Sequence, residues 1–203
     1  MKELLERIQT EFDEAEGNIR IVDADWYADE LRISLSVLMH NEAAPELWEV
    51  QCIGVVEESL CSIDEELLSI SKNSPLLIPY EEVEIDLFFS ENSCSPESLL
   101  GVLFSACVEI LGKAEYLVRF LNQKPTVNGI VKAKFGTLGR FPKPLADKIT
   151  QELSALPINI KPIEVGAPKH WTGSEFISYP SLSVFELGNS YVIAESFGAV
   201  RAI

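Results

Sequence analysis

Two histidines, His40 and His170, are all that this 203-residue chain offers for imidazole chemistry. Its four cysteines stand at 52, 61, 94 and 107, and no two have the Cys-x-x-Cys spacing. Zinc fingers, zinc ribbons and redox dithiols are built on such pairs, so none of these is expected. Cys52 falls in a strand pattern and Cys107 in a helix pattern, both among apolar neighbours, which reads as reduced, mostly buried thiols. Long apolar runs are missing too. The most apolar window, Leu99 to Leu111, is broken by Gly101, Ser105 and Glu109, whereas a membrane span needs about 20 residues. The stretch Met1-Lys2-Glu3-Leu4-Leu5-Glu6-Arg7 has neither the apolar core nor the cleavage signal of a secretory leader. The sequence therefore predicts a cytoplasmic protein with no membrane partner. There is no three-glycine dinucleotide fingerprint, no Gly-Lys-Ser/Thr phosphate loop and no Gly-x-Ser-x-Gly elbow. No cofactor is expected.

Positive charge is scarce as well, and unevenly so. Residues 1–100 hold 24 of the 32 acidic residues and only five basic ones, Lys2, Arg7, Arg20, Arg32 and Lys72, a charge of about −19. Residues 101–203 carry about +3, with Lys124, Lys132, Lys134, Arg140, Lys143 and Lys148 set against a single acid, Asp147. Because 47% of the residues are hydrophobic, the acidity belongs to a folded surface and not to a disordered tail. A net charge of −16 repels phosphate, and the six cations come without an aromatic RNA-binding pattern, so nucleic acid is not an expected partner. A field this lopsided selects a basic one.

What the chain does have is alternation. Residues 2–16 read as an amphipathic helix with Leu4, Leu5, Ile8, Phe12 and Ala15 on one face, ended by Gly17-Asn18. Ile19 to Trp26 reads as a strand, with a turn around Ala28-Asp29. Leu31, Ile33, Leu35, Val37 and Met39 then alternate with Arg32, Ser34, Ser36, Leu38 and His40, the clearest strand in the sequence. Trp48, Val50 and Cys52 alternate with Glu49 and Gln51, a strand read as running on to Val56. Ser62-x-x-Glu65 resembles a capping box for a short helix through Ile70, and Val83, Ile85, Leu87 and Phe89 mark another half-buried strand. Ser95-Pro96-Glu97 opens a long apolar helix running to about Asn122. Gly101 and Gly112 within it are read as points of close packing. Beyond it come a basic strand or strand pair over 129–138, a helix from Pro144 closed by Pro157, and a strand over 158–165 that Pro162 places at an edge. A long loop over 166–180 follows. Gly188-Asn189 then marks a two-residue hairpin turn between 182–187 and 191–196.

These elements predict an α+β fold: a mainly antiparallel sheet packed by the long apolar helix, with a smaller C-terminal α/β lobe. The division is placed at 1–123, an acidic lobe, and 124–203, a basic-to-neutral lobe ending in the hairpin, with one continuous domain as the alternative.

Three constellations bear on function. If Val83 to Phe89 bury one face, Glu82, Glu84 and Asp86 project together from the other at about 7 Å spacing. Glu49 would join them if its strand enters the same sheet. Such crowding of like charge suits a cationic partner. Asp23 and Asp25 form a dyad of hard oxygen ligands without the calcium-loop spacing, so no metal is expected there. His170 with Ser174 as nucleophile and Glu175 as orienter is the one hydrolase or transferase arrangement the chain can offer. The leading expectation is a non-catalytic cytosolic protein that binds a basic protein, in its sharpest form an immunity or inhibitor protein neutralising a basic enzyme such as a nuclease toxin. The alternatives are a small hydrolase or transferase using the His170 loop, and a homo-oligomeric subunit whose two charged halves drive self-assembly.

Overall fold

Period-two burial organises the first part of the chain. The computed structural model describes residues 1–12, 17–39, 44–61, 64–122 and 127–202. Strands β1 (Asn18–Tyr27), β2 (Glu30–Leu38) and β3 (Glu46–Ile53) are consecutive antiparallel neighbours. On β2, Leu31, Ile33, Leu35 and Val37 are buried while the residues between them are half-exposed, as the alternation predicts. β5 (Asp64–Glu65) pairs with the start of β1, and β14 (Ser196–Arg201) lies along β3. A second antiparallel sheet is built from β4 (Glu57–Ser59), β13 (Ser190–Ala194), β12 (Ser183–Leu187) and β6 (Leu68–Ser71), in that spatial order. Both sheets and helix α1 (Lys2–Phe12) contribute to one core, with Leu4, Ile8, Ile33, Leu35, Trp48, Val50, Phe185 and Val192 among its members.

The β1–β2 turn places Ala28 at φ 55. A positive φ at the first central residue is what a two-residue hairpin turn needs, and glycine adopts it without the Cβ clash that alanine suffers. Ala28→Gly is therefore expected to stabilise the protein by about 0.5–1 kcal/mol in urea denaturation. An unchanged or lower midpoint would mean that the turn carries no strain.

The second part of the chain begins with α2 (Ile78–Glu81) and β7 (Glu84–Ser90). Helix α3 (Pro96–Leu111) starts where the sequence predicts, with the Ser95 hydroxyl accepting from the Ser98 N–H and Pro96 at its first turn. After it come a 3-10 turn (Ala114–Tyr116), α4 (Leu117–Phe120), α5 (Val127–Lys132), β8 (Gly136–Pro142), α6 (Lys143–Leu153) and β9 (Asn159–Gly166). The sheet order is β8-β7-β9, with β7 antiparallel to both neighbours. β8 and β9 thus run parallel to each other, with α6 as their crossover, a split βαβ unit. Pro162 sits on the edge strand β9, as predicted; an edge strand is where a residue lacking its N–H is tolerated. Helix α6 packs on all three strands, and α3 packs on α6.

The fold is thus mixed α and β, and its strand pairings are antiparallel among the described residues. It divides into two compact units. Unit 1 comprises Met1–Leu77 and Pro180–Ile203, and unit 2 comprises Ile78–Tyr179. The division placed at 123–124 lies outside the described residues, and Asn122 and Val127 on either side of it both belong to unit 2.

Four elements differ from the sequence reading. The predicted helix through Ile70 is β5 and β6, because pairing with β1 and β12 outweighs local preference; Ser62 lies outside the described residues. The helix predicted to reach Asn122 stops at Leu111, where Gly112 takes φ 79 and its N–H bonds the Val108 carbonyl. Gly112 is a helix terminator, not a packing contact: among the described residues, no other segment lies within 4 Å of where a Cβ would stand at Gly112 or Gly101. Residues 129–132, read as part of a basic strand or strand pair, are helical in α5. The loop over 166–180 contains a small hairpin, β10 (Lys169–Trp171) with β11 (Phe176–Ser178).

Candidate partner-binding surfaces

Sorting charge by unit sharpens the asymmetry seen in the sequence. Unit 1 holds 20 acidic residues against six basic ones, and unit 2 holds 12 against ten. The parity of the five-stranded sheet then fixes where part of that acidity goes. Leu31 and Ile33 point into the core, so Glu30, Arg32 and Ser34 point to the other face. Their cross-strand partners share that face: Tyr27, Asp25 and Asp23 on β1, and Ile53, Gln51 and Glu49 on β3. Asp23, Asp25, Glu30 and Glu49 therefore lie on one sheet face around Arg32; Arg20, opposite Ser36, shares that face farther along β1 and stands 3.9 Å from Asp64. The Arg32 guanidinium is 2.7 Å from Glu30 and 3.9 Å from Glu49, and it sits 4.7 Å from the Tyr27 ring centroid. The Glu30 hydrogen bond is the main cause holding the Arg32 pKa above its ordinary value. Gln51 Nε2 donates to Glu49 Oε1 at 3.3 Å.

Asp23 and Asp25, the dyad weighed as a metal site, are exposed on this face. One Asp23 oxygen accepts the Ala24 N–H at 2.9 Å. Among the described residues, no three His, Cys, Asp or Glu side chains converge to hold a metal ion.

Glu82, Glu84 and Asp86 belong to unit 2, so Glu49 does not join them: its strand enters the other sheet. Glu84 and Asp86 share the face of β7 turned away from buried Ile85 and Leu87, as the alternation requires, and Glu82 is exposed just before the strand. The crowding of like charge is relieved from within. Arg140 on β8 stands opposite Asp86 and grips it at both oxygens, Nε to Oδ1 at 2.8 Å and Nη2 to Oδ2 at 3.1 Å. Its Nη1 lies 3.8 Å from Glu84. The Asp86 hydrogen bond, ahead of the charges, raises the Arg140 pKa. Other members of the basic run are also paired inside unit 2, Lys143 with Asp147 at 2.7 Å and Lys148 with Glu109 and Glu152 at 2.7 and 2.9 Å.

This face of β7 and β8 floors an open groove of about 880 Å³. Pro79 and Tyr80 of α2 and the segment 119–122 also line it. That segment runs close along β8. Asn122 N–H donates to the Leu138 carbonyl at 3.0 Å, and Leu121 bridges Gly139. Arg119 Nη2 lies 3.4 Å from the Tyr80 hydroxyl. Both groove carboxylates face one guanidinium, that of Arg140, in a single ion-pair network.

The His170 constellation does not assemble. His170 stands opposite Ile177 in the β10–β11 hairpin, its ring stacked on Tyr179 with centroids 4.8 Å apart. Its Nε2 is buried and has no hydrogen-bond partner among the described residues. Ser174 and Glu175 are exposed in the hairpin turn. The Ser174 hydroxyl is 3.3 Å from Thr172 Oγ1, and the Glu175 backbone exchanges hydrogen bonds with Thr172. No hydrogen bond joins His170 to either residue, so a base–nucleophile contact is lacking. His40 lies outside the described residues.

Comparison with protein-family models, with curated proteins and with solved structures finds no significant match. The site reading therefore rests on geometry. Among the described residues, no helix is long and apolar enough to cross a membrane. Burial pushes the Cys52 thiol up to about 12 and raises Cys94 as well, so neither has the lowered pKa of a reactive nucleophile.

One charged residue escaped the sequence reading altogether. Glu46 is buried in unit 1, where it takes Arg7 and Arg201 at 3.1 Å each and the Trp48 indole N–H at 3.0 Å. The signal was there. Glu46 falls on the same parity as Trp48, Val50 and Cys52, the core side of β3.

Proposed function

We propose that this protein is a cytosolic binding protein without catalysis of its own, which neutralises a basic partner through its acidic unit 1. An immunity or inhibitor protein set against a basic enzyme, such as a nuclease toxin, is the sharpest form of this reading. The observation that carries it is the imbalance within unit 1, 20 acids to six bases, with four of those acids on one sheet face around Arg32. Holding that charge on a folded surface costs stability by self-repulsion, and a cationic partner relieves it. Glu49 keeps its place in the proposed interface. Glu84 and Asp86 already hold Arg140, so a partner's cation gains less from them, and Glu82 is the freest to contribute of the three.

The test is capture of a partner by the tagged protein at low salt, followed by association kinetics. The expected result is one basic protein, bound more slowly as salt rises. Replacing Asp23, Asp25 and Glu49 by their amides should slow association several-fold at low salt and leave the melting temperature within a few degrees. A partner of neutral or acidic character, or kinetics indifferent to salt, would sink the proposal.

A further inference from the structure

We propose that the outer edge of β1, from Val22 to Tyr27, is a docking strand that takes an extended lysine- or arginine-rich segment by strand addition. This rests on the reading above and says where and how the basic partner binds.

The edge is open. β1 pairs with β2 along its length, but β5 covers its other side only at Ile19 and Arg20. Among the described residues, no strand pairs with that side from Val22 to Tyr27. Along six residues of strand, about 20 Å, alternate residues thus turn their backbone donors and acceptors away from β2, which is the template that an incoming chain can extend.

The edge is also apolar where a solvated strand need not be. Beyond Ile21, β1 buries nothing, and Val22, Trp26 and Tyr27 are 53%, 52% and 54% exposed. Aromatic side chains of this kind are enriched where proteins meet.

Its guards select the occupant. Edge strands are commonly protected by lysine, proline or a bulge. β9, one edge of the unit 2 sheet, has both Lys161 and Pro162. β1 has neither over Val22–Tyr27. Its guards are a bulge at Val22 and the carboxylates of Asp23 and Asp25. Carboxylates repel another acidic strand, including that of a second copy, whose unit 1 carries about −14. They attract a cationic one.

Parity fixes the pattern of the segment. Asp23, Asp25 and Tyr27 share the solvent face of the sheet, while Ala24 and Trp26 share the side of Leu31 and Ile33. An incoming strand would set cations beside the aspartates and an apolar residue beside Trp26. Tyr27 already carries one guanidinium, that of Arg32, showing how its ring receives a cation.

The probe is an eight-residue peptide of alternating lysine and valine, titrated into the full chain at low salt. Hydrogen exchange locates the contact. The peptide is expected to bind and to slow exchange of the amides from Val22 to Tyr27. N-methylation of one alternate set of peptide amides should weaken binding at least tenfold, because those N–H groups face β1, while methylation of the other set should not. Asp23→Asn with Asp25→Asn should weaken binding and flatten its salt dependence. If both methylated peptides bind as well as the parent, or protection falls elsewhere, strand addition is wrong while the charge-based reading survives. If no cationic peptide binds and no basic protein is captured, both fall. Protection of Val22 to Tyr27 that grows with protein concentration alone would give the edge to a second copy and overturn the proposal.

Discussion

Replacing Glu46 by alanine is expected to cost about 3 kcal/mol of unfolding free energy. The carboxylate is 2% exposed and is the common acceptor for Arg7 of α1, Arg201 of β14 and the Trp48 indole. Removing it leaves a buried indole N–H without an acceptor and two guanidinium groups facing each other. Glu46→Gln should cost less, about 1–2 kcal/mol, because an amide oxygen still accepts from Trp48. Arg7→Ala and Arg201→Ala should each cost at most about 1 kcal/mol, since both side chains are partly solvated and can be replaced by water. Urea denaturation of the four variants gives the order directly. Equal, small losses at all four would show that the cluster contributes little.

Gly139→Ala is the second large effect, and it acts on unit 2. A Cβ at Gly139 would collide with the Phe120 carbonyl oxygen and lie 2.9 Å from Leu121 Cα. Both are backbone atoms, so no side-chain rotation relieves the clash. Segment 119–122 must then move off the β8 edge, losing the Leu121 bridge and the Asn122–Leu138 hydrogen bond. The expected cost is about 3 kcal/mol, with exchange protection falling along β8. A wild-type melt with unchanged protection would refute the close approach. This glycine also shapes the groove, since Gly139 and residues 119–122 all line it.

How much of this was legible depends on what each signal measures. Alternation reports burial, and where one sheet face is buried it gave β2 and β7 closely and β3 to within a few residues. Cap chemistry gave the start of α3, because Ser95 and Pro96 act locally. The failures share a cause: a partner distant in sequence decided the outcome. Leu67, Leu68 and Ile70 suit a short helix, but Leu68–Ser71 is a strand because β12 lies beside it. The short, glycine-containing β14 gave no signal of its own and forms against β3. For the candidate sites, parity placed Glu84 and Asp86 on a common face but could not reveal Arg140 opposite them. The openness of the β1 edge was invisible for the same reason, since an unpaired side is a fact about the rest of the sheet. Where the chain divides was hidden too, because unit 1 draws on two stretches far apart in sequence.

That interruption sets an order of assembly. A ribosome adding about 5–20 residues per second needs about 5–20 s to make the 102 residues of Ile78–Tyr179. During that interval β3 waits for β14, Glu46 waits for Arg201, and β6 has no β12 to pair with. Unit 2, continuous in sequence, can close as soon as it emerges, while the first 77 residues remain an unfinished sheet with open edges. Those residues hold 18 acids and five bases. Mutual repulsion among nascent chains is then the safeguard of the waiting half, keeping it dispersed until its last strands arrive.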